Sequence, residues 1–387
     1  MRTSARAAVG AAYAAQGLGY ATVVTALPAF KQRQGIDDTA VSMIVLLVCV
    51  TAAVGSVVAE RLATRRGSRV ALLVGLGVQA LALPIVVLAH PMPLFVAGFA
   101  LYGLGLGMVD AAAGIQGVLV QHRVGRAVMS GFFACYTAAA AAGALLMSAV
   151  SGIGAEPALV VAAVVLATVA VLARPHLVAV DLPLAQPQLP APARTPLPTR
   201  GIWLFGAVVL AAFVVDSAVS TWSTVYLHDV LSASAAVAPL GYAGYQAAVL
   251  LTRLAGDRLV ARTGRPPIVL TAALIAAAGL VLAALVPAGW SAVLGFAAAG
   301  VGVGALVPLA FSAAGDLAPD RVDEVIARIN LFNYAGAVLG AVLVGLLTLG
   351  PAFLLPALII APVAGLARRF APTARITPPV NASATDH

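Results

Sequence analysis

The sequence has 387 residues, of which 62% are hydrophobic and only 9% charged, with a mean hydropathy of +1.03. A water-soluble domain carries roughly 45–50% apolar and about 25% charged residues, so a soluble globule is excluded and a polytopic membrane protein is indicated. The net charge of +8 then bears on topology rather than on nucleic acid, which is not expected as a partner.

The first apolar run, near 7–29, follows Arg2 and Arg6. It is too long for the core of a signal peptide and is followed by further runs, so it is read as an uncleaved first helix. A polar patch from Lys31 to Asp38 leads to a second run near 40–59. Further runs lie near 70–90, 94–119, 128–151 and 157–173, separated by short turns such as His90-Pro91-Met92-Pro93. Between Arg174 and Arg200 seven prolines, from Pro175 to Pro198, rule out a continuous helix and predict an extended linker. Six more runs follow, near 201–225, 237–255, 267–287, 291–313, 325–349 and 351–367, and a polar tail closes the chain. Each run is long enough, at about 1.5 Å per residue, to cross a hydrocarbon core of ~30 Å. The expectation is an all-α membrane protein with twelve transmembrane helices in two pseudo-symmetric six-helix bundles. Its predicted divisions are residues 1–173, a cytoplasmic linker over 174–200, residues 201–367, and a disordered tail over 368–387.

Placing both termini in the cytoplasm puts every Lys and Arg except Lys31 and Arg33 on that side, a strong positive-inside bias. The chain also repeats itself. Glu60-Arg61-Leu62-Ala63-Thr64-Arg65-Arg66-Gly67 returns about half a chain length later as Asp257-Arg258-Leu259-Val260-Ala261-Arg262-Thr263-Gly264, both fitting acid-Arg-Leu-x-x-Arg-x-Gly. Tyr136 and Gly143 in the fifth run likewise correspond to Tyr334 and Gly340 in the eleventh. Two parallel halves related by an axis along the membrane normal follow, an arrangement typical of transporters.

These loops, after the second and eighth runs, match the loop motif of the major facilitator superfamily, which the chain resembles over essentially its full length. The resemblance implies the twelve-helix fold, a monomer, and a gating role for Glu60, Arg61, Arg65, Gly67, Asp257, Arg258, Arg262 and Gly264. A carboxylate and a guanidinium at a helix end can lock an interface and release it on rocking. A closer likeness is to the bacterial YbjJ-type subgroup. It rests on Asp110-Ala-Ala-Ala-Gly-Ile-Gln116, Gly125-Arg126-Ala-Val-Met129-Ser130, Trp222-Ser-Thr-Val-Tyr226-Leu227 and Pro308-Leu-Ala-Phe-Ser312-Ala-Ala-Gly315. Val23, Ala26, Phe133, Thr221 and Ala341 depart from that subgroup's pattern.

Within the runs, polar exceptions carry the information. Asp110 and Asp216 are the only carboxylates well inside predicted helices, and a charge at the bilayer centre costs about 2.5–3.5 kcal/mol on insertion scales. They are candidates to bind a coupling proton or a cationic substrate group, with Asp216 preferred because the resemblance puts the seventh helix on the cavity. The alternative for each is a structural hydrogen bond. Gln16, Tyr20, Gln116, Tyr136, Asn330, Asn333 and Tyr334 are further cavity candidates, as is Gln246. Asn330, Asn333 and Tyr334 share one helical face. Trp222 and Tyr226 fit either the cavity or an interfacial aromatic belt. Gly103, Gly105 and Gly107, and again Gly300, Gly302 and Gly304, permit close helix packing and are not a nucleotide loop, having no strand before them or Lys-Ser/Thr after.

No Cys/His/Asp/Glu spacing suggests a metal, and Cys49 and Cys135 stand isolated in apolar runs, so neither metal nor cofactor is expected. No nucleophile–base pair argues for an enzyme. The function expected is secondary transport of a small molecule across the bacterial cytoplasmic membrane by alternating access, coupled to protons, with export of a neutral or lipophilic cargo favoured. Proton-coupled uptake and a non-transporting sensor or scaffold are the alternatives.

Overall fold

The computed structural model describes residues 2–125, 128–179, 197–318, 321–347 and 349–371. Most of the predicted tail and most of the predicted linker lie outside these residues, while 368–370, expected to open the tail, continue the last helical segment. The described residues form α1 (Arg2–Thr25), α2 (Leu27–Gln34), α3 (Asp38–Arg66), α4 (Ser68–Leu88), α5 (Met92–Val124), α6 (Met129–Ala149) and α7 (Glu156–Ala173). The second half follows as α8 (Thr199–Val225), α9 (Leu240–Thr263), α10 (Arg265–Leu285), α11 (Gly289–Gly315), α12 (Val322–Gly345) and α13 (Leu354–Ile360), the last extended by 3-10 turns into a span over Pro351–Phe370.

Ten helices among the described residues are long and apolar enough to cross a membrane. The other two of the expected twelve, α1 and α9, have 24 residues each and reach about 36 Å at 1.5 Å per residue. Their apolar texture is interrupted by Arg2, Arg6 and Gln16 in one case, and by Arg253, Arg258 and Arg262 in the other. The first predicted run divides: α1 stops at Thr25, and Pro28 opens the short α2 in its place.

Lipid tails are as apolar as leucine, so helices in a membrane associate through close packing of small residues. The glycine triplets show this twice. A Cβ on Gly103 or Gly107 of α5 would collide with Val48, Thr51 and Ala52 of α3, while one on Gly105 would meet Gln79 of α4 at 2.8 Å. On α11, Gly300 and Gly304 abut Tyr245, Val249 and Thr252 of α9, and Gly302 abuts Ala272 and Ala276 of α10. The outer pair, four residues apart, shares one helix face and the middle glycine serves another. Gly143 of α6 packs on Leu18 and Ala21 of α1, and Gly340 of α12 packs on Val214 and Ala218 of α8, the equivalent pairing in each half.

The repeated loops also share a backbone. Gly67 and Gly264 each end one helix and begin the next, with φ of 87° and 78°, the left-handed side that a side chain resists. The halves meet along α6 with α9, α3 with α12, and α1 with α8.

Candidate functional site

Halfway through the bundle, side chains from α1, α5, α6, α8, α9 and α12 converge. Gln16 of α1, almost fully buried, donates from Nε2 to Asp110 Oδ1 of α5 at 2.6 Å and to the Leu106 carbonyl at 3.4 Å. Asp110 itself is exposed. Asp216 of α8 is half-buried and accepts from the Tyr245 hydroxyl of α9 at 2.6 Å. Arg253, two turns further along α9, lies in the field of both Asp216 and Tyr245, and its Nη1 donates to Thr137 Oγ1 of α6 at 3.0 Å. That last bond crosses between the halves.

Tyrosines lie within range of the charge on the two carboxylates. Tyr13, Tyr102 and Tyr334 are close enough to feel the charge of Asp110, and Tyr20, Tyr242 and Tyr245 that of Asp216, while Tyr136 feels both. Of the eight tyrosines in the chain only Tyr226 stands apart. Tyr334 is 64% exposed. The Tyr102 hydroxyl is buried and has no hydrogen-bond partner among the described residues. Gln246 steadies Tyr242 through a 2.5 Å bond to its hydroxyl.

Of the residues singled out from the sequence, Gln16, Tyr20, Asp110, Tyr136, Asp216 and Tyr334 are thus brought together. Asn330 and Asn333 lie half-buried on the same helix as Tyr334, and no hydrogen bond of theirs is seen among the described residues. Gln116 is elsewhere: fully buried, its amide donates to Ser68 Oγ at 2.8 Å and to the Val178 carbonyl at 2.9 Å, and its oxygen accepts from the Val178 amide. It ties the strand of chain after α7 to α4 and α5. Trp222 and Tyr226 are buried inside the protein and form no lipid-facing belt. They donate to the carbonyls of Ala341 and Ala283 at 2.7 and 2.8 Å, fastening α8 to α12 and α10.

Sequence reasoning missed Tyr13, Tyr102, Tyr242 and Tyr245, and counted Arg253 among the cytoplasmic charges. The available signal for Arg253 was its position inside the eighth run rather than after it.

The two ends of the bundle differ. At the end away from the termini, Lys31 of α2 forms ion pairs with Asp38 in its own half and Asp229 in the other. His228 Nδ1 lies 2.7 Å from the second oxygen of Asp229. Burial pulls the Lys31 ammonium down, but hydrogen bonds and charge from Asp229 and Asp38 together outweigh it and hold its pKa above the ordinary value. Arg33 fixes α2 beneath it, donating to the Val86 and Val87 carbonyls at 2.6 Å with its guanidinium over the Phe30 ring. Nearby, Ser148 donates to the Ala236 carbonyl at 2.5 Å, and Gly345 of α12 is wedged against Trp222 and Ser42. At the termini end lie the repeated loops. There Glu60, Arg61, Arg65, Arg258, Arg262 and Gly264 are exposed and Gly67 half-exposed, while the side chain of Asp257 lies outside the described residues. The bundle is therefore clasped at the end away from the termini.

A family model described as the Major Facilitator Superfamily matches residues 9–243 and 204–386. An uncharacterized MFS-type transporter of Yersinia pestis is 28% identical over 367 residues, covering 91% of this chain and 92% of its own length. An uncharacterized transporter of Sinorhizobium fredii is 29% identical over 347 residues, covering 88% and 90%. Among solved structures, the nucleoside transporter NupG superposes with a TM-score of 0.69 at 12% identity, covering 95% of this chain and 98% of that one. A bacterial homolog of the human lysosomal transporter Spinster, in an inward-facing, unoccupied conformation, also gives 0.69 at 12% identity, with 95% and 97% covered. At that identity the structural likeness speaks for the fold, and the family match over both halves completes it: this chain belongs to the major facilitator superfamily.

Proposed function

We propose that this chain is a secondary active transporter that moves a small molecule across the cytoplasmic membrane by alternating access and exchanges it against protons, cargo leaving as protons enter. The observation that carries this is Asp110: a carboxylate at membrane depth, open to the cavity, held by a neutral amide and bonded to no Lys, Arg or His among the described residues. Such a group can take a proton and give it up as the cavity changes access. Asp216 already has the Arg253 cation near it and is the weaker candidate, reversing the preference drawn from the sequence.

In this account residues 1–173 and 201–367 rock as two bundles, joined by the linker over 174–200. The positive-inside bias puts both termini in the cytoplasm. The clasp at Lys31 then closes the outer face, and the exposed loops at Glu60–Gly67 and Asp257–Gly264 pair when the inner face shuts. The chain works as a monomer without a cofactor. Its kinship with the YbjJ-type subgroup rests on the four stretches quoted above.

The test is flux of a compound panel in proteoliposomes with and without an imposed proton gradient, Asp110→Asn serving as the paired control. Gradient-driven flux that vanishes in the variant is the expected result. Gradient-driven flux that survives it removes Asp110 as the coupling site, and flux indifferent to the gradient argues for uniport.

A further inference from the structure

We propose that Gln116 is a positioning residue that ties the chain leaving α7 to the first repeated loop, so that the linker governs how freely the Gly67 turn moves. This rests on the gating role proposed above for that loop and adds the element that controls it.

The chain after α7 does not stay on the surface. The His176 and Leu177 amides both return to the Ala173 carbonyl, at 2.9 and 3.0 Å, which ends the helix and turns the chain inward. Leu177 and Val178 are then 4% and 1% exposed. A buried peptide must find partners for both of its polar groups. At Val178 one side chain supplies both: Gln116 Nε2 donates to the carbonyl and Oε1 accepts from the amide, each at 2.9 Å. The grip is on main chain, so it tolerates any side chain at 178 and fails where the amide is lost.

Gln116 Nε2 also donates to Ser68 Oγ at 2.8 Å. Ser68, itself buried, directly follows Gly67, whose carbonyl accepts from the Val70 and Ala71 amides at 3.1 and 3.4 Å. Ser68 thus lies inside the turn closed by those bonds, and the Gly67 turn cannot swing without moving it. The second copy of the loop is fastened without the linker. Arg265, following Gly264, pairs with Asp316 at 2.5 Å and donates to Ser312 Oγ at 2.9 Å, at the end of α11. Both turns are therefore held by the glycine-bearing helix of their half. The C-terminal fastening is a partly exposed ion pair, of small worth. The N-terminal one is a buried junction, in which one unmade bond leaves a polar group uncompensated. Losing the Val178 amide strands Gln116 Oε1 and lets the side chain leave Ser68. Val178 belongs to the stretch by which the chain departs for the other half. Relative motion of the halves thereby has a covalent route to the loop at Glu60–Gly67.

The experiment is hydrogen–deuterium exchange on the full-length protein in detergent. It is read at the first turn of α4 and, as an internal control, at Ile268 in the matching turn of α10. Val178→Pro removes the amide but keeps an apolar side chain, and should accelerate exchange at Val70 and Ala71 about tenfold with Ile268 unchanged. Val178→Ala retains both bonds and should leave both turns near the wild-type rate. Ser68→Ala should accelerate the α4 turn by a similar factor, and adding Val178→Pro to it should change nothing further, because the route is already cut. Additive effects, equal acceleration at Ile268, or no acceleration at all overturns the proposal. Gln116→Met, close in shape and free of proline, gives the same three readings if Val178→Pro does not fold. Exchange needs no substrate, so the two readings fail separately. Coupled turns in a protein that moves no compound remove the transport function and leave the junction. Gradient-driven flux in a protein with uncoupled turns does the reverse.

Discussion

The two halves of this protein are nearly the same object in their frame and different objects in their centre. Each has a helix with three alternating glycines packed between two neighbours, a glycine with positive φ turning the repeated loop, and a fifth-position glycine set against the first helix of its half. Yet the N-terminal half offers Asp110 hydrogen-bonded, among the described residues, to the neutral Gln16, and the C-terminal half offers Asp216 with Tyr245 and Arg253. Packing obeys the repeat because close helix approach has few solutions and each half must find one. Charge departs from it because two identical carboxylates facing one cavity would double a cost that function needs only once.

The sharpest way to break the comparison is to neutralise each aspartate in turn. Asp110→Asn should cut proton-driven flux by roughly 100-fold or more, about 2.7 kcal/mol in barrier terms. Asp216→Asn should reduce flux less, and lower stability by roughly 1–3 kcal/mol because Arg253 loses its compensating charge. Parallel flux and thermal-unfolding measurements on the two variants separate these outcomes, and equal behaviour would abolish the asymmetry.

The frame can be tested the same way. Gly107→Ala drives a methyl group into the Ala52 backbone, whereas the Cβ of Gly304→Ala meets Thr252 and Val249 at 3.0 Å. The first should cost about 3 kcal/mol and the second about 1, read as unfolding temperatures in detergent. A smaller effect is expected at the clasp. In a background lacking Cys49 and Cys135, Lys31→Ala should raise maleimide labelling of a Ser42→Cys reporter about fivefold, the factor worth about 1 kcal/mol for a half-exposed ion pair. The same pair gives a pH signature. Because the clasped state holds the Lys31 proton more tightly than the free side chain does, its contribution is fully present below the ordinary value of 10.5 and is lost as pH rises through the raised one. Reporter labelling should therefore stay low across neutral pH and climb only in strong alkali.

Much of this was legible in the chain. The spans, the repeat and the paired glycines are local patterns, and a helix keeps its period whatever surrounds it. Asp110 and Asp216 announced themselves because an ionisable residue in an apolar run is rare. The tyrosine cluster did not, since Tyr13, Tyr102, Tyr242 and Tyr245 are ordinary in their own helices and acquire meaning only where six helices meet. Arg253 was lost to a charge count that treats every guanidinium near a span end as an anchor. Gln116 misled for the opposite reason: a buried amide in a cavity-lining helix looks like a binding group until the Val178 backbone is seen holding both its ends.

One short turn carries a consequence for how such a protein could have diverged. After α8 the chain makes a π turn over Tyr226–Val230 before reaching the clasp. A π turn is an α-helix with one residue inserted, so the residues that close it, Asp229 among them, are rotated by up to about 100° relative to the uninterrupted helix. That rotation lets Trp222 and Tyr226 keep their buried bonds while Asp229 looks across at Lys31. Deleting a single residue in the turn would leave every helix of the bundle in place and point Asp229 away from its lysine. The resting access of the cavity would then hinge on a change in chain length of one, a kind of variation that no substitution scan would sample.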